Sequence, residues 1–265
     1  MVGVVEVHDR EPIERFARRD LGLHIYEVGD LDPFFWPYTK WYGLRGDDGE
    51  LRALALVYER DDPPVLLALG REDEGAIVEL VSGLRPRLPQ RFYAHLSEGV
   101  PATLAERWQL EHHGRYLKML LTDPSEVARV KVDDVERLGP DDVEDLQALY
   151  GRAYPGNWFD ARMLDTGQYF GIRRDGQIVC VAGVHVYSPR YRVAALGNVT
   201  TDPQWRGRGL ARRATAYLCR SLAGQVDTLG LNVREDNAAA IACYRCLGFD
   251  VIATYDEYMA EPGQP

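Results

Sequence analysis

AALGNVTTDPQWRGRG, residues 194–209, decides how the rest of the chain is read. Its first eight residues form an apolar, strand-compatible run, and Asp202-Pro203 ends it, because proline has no N–H to give to a β-ladder. Gln204-Trp205-Arg206-Gly207-Arg208-Gly209 follows, and a helical run starts at once with Leu210-Ala211-Arg212-Arg213-Ala214. A strand, a turn rich in glycine and arginine, and a helix start make a phosphate site in that order. Gly207 and Gly209 let backbone N–H groups converge with no Cβ in the way. The helix start adds unpaired N–H groups and the positive end of its dipole. Arg206, Arg208 and Arg212 add formal charge. The other reading is a basic surface turn before an ordinary helix, and the sequence downstream argues against it.

Composition bounds the function classes. A chain of 265 residues is long enough for one large domain or two ordinary ones. Its 46% apolar and 27% charged residues describe a soluble globular protein. A net charge of −10 argues against a nucleic-acid partner and suits a cationic substrate. No apolar run reaches membrane-spanning length, and residues 1–20 carry charges where a signal peptide needs an apolar stretch. The expected location is the cytoplasm, with no membrane partner.

Cys180, Cys219, Cys243 and Cys246 are too few and too scattered for a disulfide framework. Cys243-Tyr244-Arg245-Cys246 spells C-x-x-C, but a redox or zinc role needs a second pair of ligands or a redox context, and neither is present. Small apolar residues on a helix face are the expectation, and no metal is expected.

In chain order, the pattern predicts strands over residues 2–7, 41–45, 51–60, 65–69, 92–96 and 116–121. It predicts helices over 11–19, 72–84 and 101–109, the last with proline near its start. The aromatic cluster Phe34, Phe35, Trp36, Tyr38, Trp41 and Tyr42 reads as packing rather than a ligand cage. Residues 123–126 read as a linker. Beyond them come a strand over 128–132, a helix over 141–152 with Asp141 and Asp142 at its cap, and a short helix over 159–164. Strands over 169–173 and 178–187 flank Asp175-Gly176, a hairpin signal. After the phosphate loop come a helix over 209–222, a strand over 228–233 and a helix from Asn237 to a capping Gly248. Strands over 251–254 and 257–260 finish the chain.

These residues carry a resemblance. Arg206-Gly207-Arg208-Gly209 after a strand, Asn237 opening a helix, and Tyr244 with Leu247-Gly248-Phe249 behind it occur in the order and spacing of the GNAT N-acyltransferase superfamily. The second half, roughly residues 130–260, resembles a member of it, with similarity to the glycine N-acyltransferase-like branch. The resemblance implies that the backbone of Val199, Thr200 and Thr201 pairs with the pantetheine arm of acetyl-CoA. It implies that Arg206, Gly207, Arg208, Gly209, Leu210, Ala211 and Arg212 hold the pyrophosphate. It further implies that Asn237 touches the cosubstrate and that Tyr244 is the general acid.

Elementary chemistry agrees with the last role. Acyl transfer from a thioester expels a thiolate whose conjugate acid resembles a cysteine thiol, with a pKa of about 8.5. A tyrosine hydroxyl, pKa about 10, stays protonated at neutral pH and can supply that proton. Tyr244 lies two helical turns beyond Asn237, so both fall on one helix face. The attacking amine must first lose a proton. Many relatives use a glutamate on the strand before the last long helix, where this chain has Asn232, which is no base. His185 is the catalytic candidate in its place, with Glu235 and a water chain as alternatives.

A shift of 136 residues lays Phe92-Tyr93-Ala94-His95-Leu96 on residues 228–232, Pro101 on Asn237 and Trp108 on Tyr244. The first half then reads as a degenerate second copy. Its loop fails as a phosphate site, because Glu72, Asp73 and Glu74 fall where the glycines and arginines stand. The expected architecture is α+β, in α/β/α layers: tandem GNAT-like domains over 1–124 and 125–265, each a mixed, mostly antiparallel sheet flanked by helices. The expected function is acetyl transfer from acetyl-CoA to an amine of a small molecule or peptide, by a monomer or homodimer. The alternative is a non-catalytic acyl-CoA-binding or sensing module.

Overall fold

The computed structural model describes residues 3–60, 62–71 and 73–263, and the chain divides into two compact units. The first holds Met1–Lys118, Arg234–Asp236 and Ile252–Pro265, and the second holds Met119–Val233 and Asn237–Val251. Val2 and Glu72, both used in reading the sequence, lie outside the described residues.

The first unit opens with β1 (Val4–Glu6), α1 (Arg10–Ala17), α2 (Ile25–Asp30), β2 (Thr39–Arg45), β3 (Leu51–Tyr58) and β4 (Val65–Ala68). α3 (Glu74–Leu84), β5 (Phe92–Leu96), α4 (Val100–Leu104) and β6 (Trp108–Leu121) follow. The sheet runs β1-β2-β3-β4-β5, antiparallel except for the parallel pair β4–β5, whose crossover is α3. Ala76, Ile77, Leu80, Val81 and Leu84 of α3 recur at helical spacing and pack into one core with Leu66, Phe92 and Ala94. The Asp73 carboxylate caps α3 by accepting from the Ala76 amide at 3.0 Å, and it pairs with Arg52 at 2.7 Å.

The second unit holds α5 (Pro124–Ala128), β7 (Glu136–Arg137), α6 (Val143–Ala153), β8 (Phe170–Arg174), β9 (Gln177–Ser188) and β10 (Val193–Thr201). Then come α7 (Leu210–Leu222), β11 (Thr228–Arg234), α8 (Ala238–Arg245) and the start of β12 (Phe249–Pro262). Its strands run β7-β8-β9-β10-β11, again antiparallel up to one parallel pair, β10–β11, with α7 as the crossover. Each unit is therefore a mixed, mostly antiparallel sheet flanked by helices. Asp175 and Gly176 both take positive φ, +51° and +79°, which the tight β8–β9 turn requires.

Five sequence expectations are corrected. The helix over 101–109 shrinks to α4, and β6 begins at Trp108, eight residues before the strand expected at 116. Burial of the indole decides this: Trp108 packs edge-on against Phe92 at 5.3 Å and donates to the Gln90 carbonyl. Trp108 is thus a strand residue and no counterpart of Tyr244. The linker over 123–126 is the first turn of α5, with Asp123 accepting from the Ser125 amide and Pro124 at the first helical position. The strand over 128–132 does not form, and the strands over 251–254 and 257–260 are one strand, β12. Asp142 does not cap α6 through its side chain; it accepts from the Gly139 amide instead.

Candidate functional site

The loop between β10 and α7 is built to present N–H groups. Asp202 accepts from the Gln204 amide at 3.0 Å and turns the chain out of β10. Gly207 and Gly209 sit at φ +74° and +70°, and a Cβ on either would meet nothing within 4 Å. Glycine is needed there for backbone conformation, and the space above the loop stays open. The first backbone bond of the helix is from Arg213 to the Gly209 carbonyl. Among the described residues, no acceptor takes the N–H groups of residues 206–212. A run of such donors at the positive end of a 13-residue helix attracts an anion such as a pyrophosphate.

The three arginines differ in their duties. Arg206 donates from Nε to the Thr201 carbonyl (3.1 Å) and from Nη2 to the Ala153 carbonyl (3.2 Å), so it braces the loop. Arg208 lies 4.6 Å over the Trp205 ring. Arg212 is exposed and has no hydrogen bond or ion pair among the described residues, which leaves its charge available to a ligand. Arg213, by contrast, pairs with Asp134 at 2.7 Å.

β10 and β11 supply the second feature. Their register runs from Val193↔Thr228 to Leu196↔Leu231 and stops, although both strands continue. β10 carries a bulge against β9 between Gly197↔Gly183 and Thr200↔Val181. Beyond Leu196 the edge of β10 that faced β11 has no β11 partner in register, while Thr200 and Thr201 stay paired with Val181 and Cys180 of β9.

Asn237 caps α8, its Oδ1 accepting from the Ala240 amide at 3.1 Å. Tyr244, on the same helix, is buried and packs edge-on against Phe249 at 6.0 Å. Burial pushes its phenol well above the ordinary tyrosine range, and neighbouring Cys243, Tyr154, Cys219 and Cys180 add to the shift. Among the described residues its hydroxyl has no hydrogen-bond partner. The proton is held and its direction is uncommitted.

His185 lies at a register shift in β9, with its ring stacked on Gly197 so closely that a Cβ there would fall 1.7 Å from the ring. Asn232 is the residue after Leu231, at the point where the two strands part, and its Oδ1 is buried without a partner. Glu235 belongs to the first unit. Cys246 is exposed and Cys243 half-buried, so the pair does not form the apolar helix face expected.

Sequence reasoning missed three buried residues beside the bulge, Tyr150, Tyr169 and Asn198. Asn198 takes φ +54°, and its main-chain and side-chain groups are held by the two phenols. The signal was available in Gly183 and Gly197, isolated glycines inside apolar strands, which mark bulges and close approaches.

A profile of the Acetyltransferase (GNAT) family matches residues 135–249. The [ribosomal protein bS18]-alanine N-acetyltransferase of Escherichia coli is 45% identical over 114 residues, 40% of this chain and 75% of that protein. A mycothiol acetyltransferase of Kytococcus sedentarius is 29% identical over 238 residues, 84% of this chain and 72% of that protein. Of two mycobacterial relatives the chain spans less, 37% and 60% of their lengths. The solved tandem GNAT protein from the clavulanic acid biosynthesis pathway shares the fold along all of both chains, with a TM-score of 0.56 at 16% identity. Among the described residues no helix is long and apolar enough to cross a membrane. On the match along the phosphate loop, the parted strands and the Tyr244 helix, the chain belongs to the acetyltransferase (GNAT) family.

Proposed function

We propose that this chain is an N-acetyltransferase that moves the acetyl group of acetyl-CoA to an amine of a small molecule or peptide by direct attack. The observation that carries the reading is the uncommitted N–H run of residues 206–212 beside the parted strands β10 and β11. The run suits a pyrophosphate, and the β10 edge at Val199, Thr200 and Thr201 suits a pantetheine arm. Arg212 adds charge, and the Asn237 Nδ2, left over after capping, suits an acceptor on the same arm. Acetyl-CoA supplies the activated thioester. Tyr244, kept neutral by burial, gives its proton to the departing thiolate. His185 is assigned as the base that takes the amine's proton, and Asn232 Oδ1 accepts from that amine without being able to deprotonate it.

The catalytic part in this reading is residues 125–265, with similarity to the glycine N-acyltransferase-like branch, and residues 1–124 are a degenerate GNAT-like domain. Four unpaired cysteines suit a reducing cytoplasm, and a monomer or homodimer suffices. One observation favours a second reading: with Asn232 in place of a carboxylate, the chain would bind acyl-CoA without turning it over. Thiol release from acetyl-CoA, tested against small amines and peptides with free N-termini, separates the two. Turnover above hydrolysis that vanishes in Tyr244→Phe supports the enzyme. Saturable acetyl-CoA binding with no turnover across the panel supports the module.

A further inference from the structure

We propose that Tyr150, Asn198 and Tyr169 are positioning residues for the acyl-CoA thioester, acting through the β10 backbone that they hold in its bulge. The inference rests on the reading of β10 as the strand that receives acyl-CoA. β10 carries one more residue than β9 between Gly197↔Gly183 and Thr200↔Val181, and Asn198 lies in that bulge at φ +54°. The left-handed region is costly for a residue with a Cβ and persists where the surroundings over-determine it. Here they do. The Tyr150 hydroxyl donates to the Asn198 carbonyl at 3.1 Å. The Asn198 side-chain Nδ2 donates to the Tyr169 oxygen at 3.0 Å, and the Tyr169 hydroxyl donates to the Val184 carbonyl at 3.2 Å. These buried bonds thus hold Asn198 by its main-chain carbonyl and by its side chain, and the latter ties it to β9.

The packing is made for this clamp. A Cβ at Gly183 would fall 2.3 Å from the Tyr169 ring, so the glycine makes room for the phenol beside the bulge. Phe159 lies 5.0 Å from the Tyr150 ring and 5.7 Å from the Tyr169 ring, and sets both. Burial raises the pKa of both phenols well above the ordinary tyrosine range, so they remain neutral donors around neutral pH. A buried polar chain of this kind is demanding where an apolar core would do, and its product is a single backbone geometry. That geometry sits immediately past Leu196↔Leu231, where β10 leaves β11. The bulge sets which way the β10 backbone points where it no longer runs in register with β11, and hence whether one of its N–H groups meets a thioester carbonyl.

The test uses acetyl-CoA carrying carbon-13 at its carbonyl, titrated into the full chain and followed by NMR. With the native chain the bound carbonyl resonance lies downfield of the free one, as a hydrogen-bonded carbonyl does. In Tyr169→Phe and in Tyr150→Phe it moves back toward the free position, while the Kd changes by less than about threefold. Leu222→Val, a core change in α7 away from the clamp, leaves the bound resonance where it was. A resonance unmoved in a folded Tyr169→Phe or Tyr150→Phe overturns the proposal, as does an equal movement in Leu222→Val. If the native chain shows no saturable acetyl-CoA binding, the donor-site reading itself fails and the clamp falls with it. Native binding with an unshifted carbonyl overturns the clamp alone.

Discussion

The Gly70 amide donates to the Ser97 hydroxyl at 2.9 Å, just past the last paired residues of β4 and β5, Ala68 and Leu96. The parallel strands of the first unit are fastened at the very place where β10 and β11 of the second unit part. The helix behind them is also occupied, since Asp73 takes the Ala76 amide and pairs with Arg52. A pyrophosphate there would meet a carboxylate already satisfying the helix start. Asp73→Ala is therefore expected to cost about 1 kcal/mol of stability through the lost cap. The acetyl-CoA Kd should be unchanged. Thermal denaturation and titration of the same variant check both halves, and a weakened Kd would place acyl-CoA in the first unit.

Arg206 and Arg212 are expected to fail differently. Arg206→Ala removes two bonds to main-chain carbonyls and should lower the Tm as well as the acetyl-CoA affinity. Arg212→Ala removes only an exposed charge, so the Tm should hold. Its affinity loss should be of order 0.3–1 kcal/mol at low ionic strength and shrink as salt screens it. Titrations at low and high salt make the comparison, and equal behaviour of the two variants would refute the division of labour.

Tyr244→Phe keeps the contact with Phe249 and removes the proton. Turnover should fall by a factor of order 10²–10⁴ with little change in acetyl-CoA affinity. Burial holds the phenol pKa above its ordinary value of 10.0, so Tyr244 stays protonated across the neutral range. Any basic limb near neutrality must then belong to another group. A full-rate Tyr244→Phe enzyme, with chemistry shown to limit the rate, would make the hydroxyl dispensable.

The parts of the fold legible in the sequence are those where local rules and burial agree. Strand, Asp202-Pro203 stop, glycine turn and α7 each follow from their own residues, as does the Asp175-Gly176 hairpin. Trp108 was misread because its helix signal is local and its burial against Phe92 is not. Asp123-Pro124 looks the same whether it ends a chain segment or caps a helix, and only the Ser125 amide shows which. The clamp was invisible for a similar reason: Tyr150 of α6, Tyr169 just before β8 and Asn198 of β10 are brought together from separate parts of the chain, and no spacing announces them.

The first unit carries an acid-sensitive interior. His95 faces Glu257 across β5 and β12, and Lys118 lies 5.0 Å over the Tyr26 ring and 5.3 Å over Tyr255. Burial holds the His95 imidazole below its ordinary value of 6.5 against the pull of Glu257. It likewise holds the Lys118 ammonium below 10.5. Each group binds a proton more readily in the unfolded chain, so stability falls as pH drops through the unfolded values toward the folded ones. Burial raises the Glu27 carboxyl, but His24 and Lys118 outweigh it, so its own loss begins only below 4.5. The Tm should therefore drop between about pH 7.5 and about pH 5.5, and drop less in His95→Asn. A Tm that rises on acidification would contradict the account.

Isothermal titration of the full chain with acetyl-CoA tests the central claim most directly. The account predicts one site per chain, lost in Gly207→Glu because the added carboxylate and its bulk meet the pyrophosphate at a position held at φ +74°. Two equivalent sites, or undiminished binding in a folded Gly207→Glu chain, would contradict it.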